Sequence, residues 1–355
     1  MSGNLERRYR RVLRLLPGWY RRQWEEDMVA AFLDSWLTGD PEADEYIAKA
    51  AVPSWAEIAS VASLSIRLYL GGAGTPRRYF AWGQAVRRTV LAVTLVQAVR
   101  GLDVLVRTAW SRHLFGWIPA PPASIVPSDP VGLMPAVWYL VAYAWIAGFV
   151  LLVLGHDRTA QVIAALAIVP DLVWLLRGEF IGAFQGPSLG PWAFWVLLNL
   201  APVLGMAAFH RDAPPTARWP WLLALPVGYL VVAVPLLAVQ SSGKSAWLPD
   251  FSGLYCILVS LACLAQAPRA LSRGGVGSGF WSLTLTLLAV DAGAYRLLSV
   301  TDYLHDPHLI DVSLVELLIL AAVVTLVVPD AAHTQTALAR NTTASVPGVN
   351  KPSER

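Results

Sequence analysis

The chain has 355 residues, of which 56% are hydrophobic and 14% are charged, and its mean hydropathy is +0.51. This composition excludes an ordinary water-soluble globular domain and favours a chain whose solvent is largely lipid. The formal charge is only +3, but 13 of the 27 Lys and Arg residues precede Thr89. The first 30 residues alternate charged and apolar positions without the continuous apolar core of a cleavable signal peptide, so we expect the N-terminus to stay in the mature protein.

The front of the chain is predicted to form helices of opposite charge. Residues 1–22 carry seven basic and one acidic residue, whereas residues 25–57 carry nine acidic and one basic. Residues 5–16 place apolar side chains on one helical face, and the other face carries Arg7, Arg8, Arg10, Arg11 and Arg14. Pro17 and Gly18 end this helix, and a second follows to about residue 37. We therefore predict an antiparallel helix pair whose charged faces neutralise each other.

A third helix is predicted to begin at Ser54, because Glu57 three residues later completes a capping box. It ends at Gly71 and Gly72, and residues 67–88 then contain five arginines and no acid, a composition suited to an anionic cytoplasmic leaflet. We interpret residues 1–88 as a cytoplasmic helical domain with a basic juxtamembrane segment. Its arginine face is either a solvated bundle surface or, together with Trp24 and Trp36, a surface that docks lipid headgroups or a partner protein.

These front residues also resemble a known family. The matching residues are Arg8-Tyr9-Arg10-Arg11, Leu13-Arg14-Leu15, Pro17, Tyr20-Arg21 and Glu25-Glu26-Asp27-Met28. They are similar to the short helical prefix domain of bacterial, especially actinobacterial, multi-pass membrane proteins, some of which are exporter-type permeases. The resemblance covers about the first 40 residues and implies a bacterial membrane protein, while Trp24 and Asp27 depart from the usual prefix pattern.

Beyond Arg88 we predict about eight transmembrane helices, so the fold class is all-α: a polytopic helical membrane protein with a small cytoplasmic three-helix domain in front. Residues 131–154 are the clearest span, because 24 positions without charge rise slightly more than the hydrocarbon thickness of a bilayer. The predicted spans are 89–106, 131–154, 159–176, 191–209, 219–239, 251–267, 279–298 and 312–328. Residues 329–355 are predicted to be a disordered cytoplasmic tail.

The distribution of basic residues predicts the orientation in the membrane. Lys and Arg accumulate in short cytoplasmic loops, and the loops on the same side as the N-terminus contain more of them than the other loops. We therefore predict an inner (plasma) membrane protein with both termini in the cytoplasm.

Charged residues inside the predicted spans are the main candidates for a functional site, since such residues need a partner or a wet cavity. They are Arg100, Asp103, Asp171, Asp291, Arg296 and Glu316. The predicted topology places all six in the outer half of the membrane, which suggests a polar, outward-facing pocket lined by the first, third, seventh and eighth spans. The alternative is structural pairing, of Arg100 with Asp103 and of Arg296 with Asp291 or Glu316.

The segment 301–311 is a weak candidate for a metal site, because it gathers Asp302, His305 and His308. A solvated or pH-sensitive loop explains the same residues. No nucleotide-binding, hydrolase or metalloprotease motif is present in the sequence, so we predict no cofactor and no enzymatic activity.

Two functions fit these features. The first is a sensor or regulatory membrane protein that docks a cytoplasmic regulator through residues 1–70, without binding nucleic acid itself. The second is a transporter, or the membrane subunit of an ABC-type exporter that relies on a separate ATPase.

Overall fold

The computed structural model describes residues 4–36, 40, 46, 50–72, 74–114, 133–181, 189–210, 213, 215–241, 250–271, 275–302 and 307–344. Within these ranges the chain is helical and contains no strand, as the sequence predicts for the fold class. The chain divides into two compact units, residues 1–83 with 210–213, and residues 84–209 with 214–355.

The first unit contains the helices α1 (Asn4–Leu13), α2 (Gly18–Asp34) and α3 (Trp55–Tyr69). Their shared core buries Leu5, Leu13 and Leu16 to 1% exposure or less. Tyr9 of α1 stacks on Phe32 of α2, with ring centroids 3.8 Å apart. The apolar face predicted for the first helix therefore packs inward.

Polar contacts at the helix ends hold the same unit together. The predicted capping box is confirmed: Glu57 N donates to Ser54 Oγ, and Ser54 N donates to the Glu57 carboxylate. The Glu57 carboxylate also accepts a hydrogen bond from Trp36 Nε1 at 3.1 Å, which joins α2 to α3. Arg10 of α1 forms a 2.8 Å ion pair with Glu26 of α2, the kind of neutralising contact that the opposite charges predict.

Eight further α-helices follow in the described part of the chain. They are α4 (Arg77–Ser111), α5 (Leu133–Leu154), α6 (Asp157–Ile181), α7 (Leu189–Gly205), α8 (Arg218–Ser241), α9 (Phe251–Leu271), α10 (Gly275–Asp302) and α11 (Pro307–Ala344). Six of them, α4 and α7–α11, contain segments long and apolar enough to cross a membrane. In α5 the described apolar stretch, Tyr139–Leu154, is shorter.

The apolar surfaces of these helices face outward as well as inward. Large aliphatic side chains on α8 and α11 are about half to two-thirds exposed: Leu223, Val227, Leu230, Leu314, Val315, Leu318 and Ile319. Helices in water hide such side chains, whereas lipid solvates them. The outward faces therefore support the multi-pass membrane architecture.

Helix α4 contributes to three buried clusters of the second unit. Its residues Leu91 and Ala98 belong to a buried cluster with α5, α6 and α7, while Val93 belongs to a cluster with α9, α10 and α11. Val99 packs against Val232 of α8. One helix thus contacts three groups of neighbours, although hydropathy singles out residues 131–154 rather than α4.

The C-terminal prediction needs correction. Helix α11 continues to Ala344 instead of ending near residue 328, so residues 329–344 are helical and not disordered. Ser282 of α10 donates a 2.7 Å hydrogen bond to Asp330, and Leu338 is 3% exposed. These contacts anchor the extension, while residues 345–355 lie outside the described residues.

Candidate functional site

A cavity of about 480 Å³ lies among α4, α5, α6 and α7. Polar side chains line one part of it and apolar or aromatic side chains line the rest. The lining residues that matter below are Gln97, Arg100, Arg107, Tyr139, Trp145, Asp171, Trp195 and Asn199. This volume falls within the range typical of small-molecule sites, about 300–1,000 Å³.

A glycine brings two walls of the cavity together. Gly101 of α4 lies so close to the backbone carbonyl of Ala142 in α5 that a Cβ at this position would overlap the oxygen. A backbone oxygen cannot rotate away as a side chain can. Gly101 is therefore required for the close approach of α4 and α5 beside the cavity.

Arg100 projects from α4 with an exposed side chain. Its guanidinium carbon lies 5.1 Å from the ring centroid of Trp195 and 5.8 Å from that of Tyr295, and it donates a hydrogen bond to the Tyr295 hydroxyl. Two aromatic rings thus hold the cation by cation–π attraction, and the hydroxyl group of one of them adds a hydrogen bond. Five N–H donors make a guanidinium well suited to an anionic group.

The predicted pairing of Arg100 with Asp103 is wrong. Asp103 instead accepts a 2.8 Å hydrogen bond from Arg107, one helical turn further along α4. The two spacings, three and four residues, are equally compatible with helical geometry, so the sequence alone does not choose between them. Arg100 is left without an ion pair among the described residues.

Asp171 enters the cavity from α6. Only 4% of the residue is exposed, and its Oδ1 has no hydrogen bond of normal geometry to the described residues, although the Trp195 indole lies near the carboxylate. Burying a carboxylate is costly unless a donor or a cation compensates it. Gln97 and Asn199, which the sequence analysis missed, satisfy each other instead through a 2.8 Å hydrogen bond between α4 and α7.

Arg296 belongs to a separate buried network. It is 2% exposed and lies 2.5 Å from Asp250 and 2.6 Å from Glu316. Glu316 is one of the two predicted partners, whereas Asp250 was missed. Asp250 also accepts a hydrogen bond from the backbone N–H of Gly253, as a helix N-cap residue does. An aspartate just before an apolar helix is the sequence signal that could have identified it.

Asp291, the other predicted partner of Arg296, accepts a 2.9 Å hydrogen bond from the Tyr255 hydroxyl. Among the described residues, the six predicted charges therefore fall into two groups and do not share the cavity. Arg100 and Asp171 line the cavity, Asp103 pairs beside it, and Asp291, Arg296 and Glu316 make contacts among α9, α10 and α11.

The candidate docking residues of the first unit fall into two groups. Arg8 donates to the carbonyl of Ala51 at 2.9 Å, and Arg10 and Trp36 make the contacts described above. The others, Arg7, Arg11, Arg14 and Trp24, are exposed. The Arg10 guanidinium hydrogen-bonds Glu26 and so lowers the pKa of that carboxylate below its usual value.

The metal-site prediction falls mostly outside what the structure describes. His305 lies outside the described residues, Asp302 is the last residue of α10, and His308 is in the first turn of α11. The described residues contain no group of three or more side chains placed to hold a metal ion.

The chain matches no family model, no curated protein and no solved structure. The cavity and the exposed surface of the first unit are therefore interpreted from their own chemistry.

Proposed function

We propose that this chain is a bacterial plasma-membrane protein that binds a small polar ligand from the outside and docks a cytoplasmic regulator through residues 1–70. In this proposal the chain crosses the membrane eight times, with α5 and α6 among the spans. Both termini lie in the cytoplasm, and the three N-terminal helices form a prefix-type module. The chain acts as a sensor or regulatory partner rather than as an enzyme.

The cavity carries this proposal. Its wall combines the exposed Arg100 cation with the buried Asp171 carboxylate, and intramembrane charges next to a cavity are the usual mark of a ligand site. Its described lining includes no serine, cysteine or histidine. We therefore propose binding and not catalysis.

The first unit supports the docking part of the proposal. The side chains of Arg11 and Arg14 are exposed and make no hydrogen bond or ion pair with the described residues, that of Arg7 hydrogen-bonds only Asn4 of its own helix among them, and Trp24 is 42% exposed. Aromatic and arginine side chains are enriched among residues that dominate protein interfaces.

A transporter is the second candidate. Pro170 lies inside α6 immediately before Asp171, and broken helices with polar groups line the substrate sites of many transporters. The energy would come from a separate ATPase or from ion coupling.

The test compares pull-downs from mildly solubilised membranes. The baits are the full chain, a chain lacking residues 1–70, and full chains carrying either Arg11→Glu with Trp24→Ala or the control Trp55→Ala, whose side chain is 83% exposed on α3. The sensor function is supported if a DNA-binding regulator is lost from the truncated chain and from the Arg11→Glu, Trp24→Ala chain but is retained by the Trp55→Ala control. Recovery of an ATPase supports the transporter. If no protein is recovered specifically, the docking proposal is rejected.

A further inference from the structure

The cavity holds two opposite charges that do not pair with each other. Arg107 is neutralised by Asp103, and Gln97 and Asn199 satisfy one another. Arg100 and Asp171 both line the cavity and attract each other electrostatically, yet they form no direct ion pair, and neither has another ion-pair partner among the described residues. The charged groups left for a ligand are thus one cation and one carboxylate.

Each of the two charges is held in place by the protein. Arg100 lies against the rings of Trp195 and Tyr295, which contact each other, and its hydrogen bond to the Tyr295 hydroxyl uses only one of its five donors. Asp171 is buried near the indole of Trp195, and its Oδ1 accepts no hydrogen bond of normal geometry from the described residues. An anionic group can accept hydrogen bonds from the Arg100 guanidinium, and an ammonium or another N–H group can donate to the Asp171 carboxylate.

Much of the rest of the wall is apolar. Val104, Val141, Ala142 and Trp145 line the cavity beside the charges, and such surfaces favour a ligand with an apolar part. A ligand of only one charge would leave either Arg100 or Asp171 uncompensated inside a low-dielectric site, which is costly.

We propose that the cavity binds an amphipathic zwitterion, with the anionic group at Arg100, the ammonium group at Asp171 and the apolar part against the α4–α5 wall. This inference rests on the proposed ligand-binding function and specifies its ligand class. The shared chemistry is an ammonium and an anion on one molecule, and both a free amino acid and an ethanolamine phospholipid have it.

The test measures binding to the purified full chain in detergent by ligand-induced thermal stabilisation. The zwitterionic probes are L-leucine and dihexanoyl phosphatidylethanolamine. Each has matched probes of one charge type: 4-methylpentanoate and 3-methylbutylamine for leucine, and dihexanoyl phosphatidylglycerol for the lipid. We expect one zwitterion to stabilise the chain saturably, and its matched probes to bind at least about tenfold more weakly, the factor that corresponds to one good polar interaction. Which of the two binds identifies the source.

Three isosteric or near-isosteric variants assign the charges. Asp171→Asn should weaken binding of the zwitterion at least about tenfold without weakening binding of 4-methylpentanoate. Arg100→Gln should weaken binding of both probes. Asp291→Asn is the control, because it neutralises an intramembrane carboxylate that binds Tyr255 outside the cavity lining.

The outcomes separate this inference from the proposed function. If a singly charged probe binds as tightly as the zwitterion and Arg100→Gln abolishes its binding, the cavity is a ligand site but the zwitterion inference is wrong. If no probe stabilises the chain, the zwitterion inference is wrong. The proposed function is rejected as well if, in addition, a Thr108→Cys side chain in the cavity wall cannot be labelled from outside the cell.

Discussion

At the scale of single residues, Arg296 shows how the second unit accommodates a charge. Its guanidinium meets carboxylates from two directions, Asp250 at the start of α9 and Glu316 in α11. A cation at 2% exposure is tolerated only with such compensation, because removing one member of a buried ion pair leaves the other charge desolvated.

We expect Arg296→Met to lower stability more than Glu316→Leu does. The first leaves two carboxylates without their cation and costs about 3–5 kcal/mol, whereas the second leaves Arg296 paired with Asp250 and costs about 1–3 kcal/mol. The double variant should recover part of the loss of Arg296→Met, since it removes one orphaned carboxylate. Thermal unfolding in detergent measures the order. Val315→Leu is the control, because Val315 is 53% exposed beside Glu316; an Arg296→Met chain as stable as the parent contradicts the argument.

The Arg10–Glu26 ion pair gives a pH prediction for the first unit. Because Arg10 lowers the pKa of Glu26 from its ordinary value of 4.5, the pair stabilises the α1–α2 contact above that value, and the contribution is lost as the pH falls through the lowered pKa. We expect spin labels at the exposed positions Arg11→Cys and Ala30→Cys to show a wider distance distribution at pH 3 than at pH 6. In the Glu26→Gln variant, the distance distribution should already be wide at pH 6. Equal distributions in the parent and in Glu26→Gln at pH 6 would mean that the pair does not hold the helices.

Polar contacts between residues close in sequence were predictable. The partners of the buried charged residues were predictable only in part. The Ser54–Glu57 capping box follows from a fixed three-residue spacing. Asp250 and Arg296 are 46 residues apart in sequence, and no helical periodicity relates them. Tertiary packing alone determines such a pair.

At the scale of elements, the fit of α4 against α5 depends on Gly101. Adding even one methyl group there places a carbon against the Ala142 carbonyl oxygen, so the helices must separate. We expect Gly101→Ala to cost about 1–3 kcal/mol, the usual penalty of overpacking, and to weaken ligand binding in the adjacent cavity. Thermal unfolding and probe binding measure the two effects.

Gly190→Ala is the matched control for this variant, because no atom lies within 4 Å of a Cβ at Gly190. It should leave both unfolding and probe binding unchanged. If Gly101→Ala behaves in the same way, α4 and α5 are not held at the distance the structure gives.

Hydropathy predicted which segments form helices, but it did not predict which helices pack against each other. It identified residues 131–154 as the clearest span, because it reflects apolar composition and the lack of charge but not contacts. Helix α4 has arginines at both ends, and yet its middle contributes to three buried clusters. A helix surrounded by other helices does not need to be the most apolar one, since its neighbours rather than lipid solvate it.

At the scale of the whole molecule, the number of spans depends on α5 and α6. Six other helices are long and apolar enough to cross a membrane. Helices α5 and α6 have 22 and 25 residues, enough to span the hydrocarbon layer, and residues 155 and 156 join them. An eight-span chain places this short connection in the cytoplasm, whereas a six-span chain, in which α5 and α6 lie along the outer face without crossing, places it outside.

Cysteine labelling separates these two topologies. In a chain whose Cys256 and Cys263 are replaced by alanine, we expect His156→Cys to react with a membrane-impermeant maleimide only after the cells are permeabilised. Ser111→Cys, at the end of α4, should react in intact cells, and Arg158→Cys should behave like His156→Cys because it follows in the first turn of α6. Reaction of His156→Cys in intact cells would reject the eight-span topology. The cavity wall supplied by α5 and α6 would then belong to a helix pair at the outer face that never crosses the bilayer, and the ligand would reach Asp171 beside that pair.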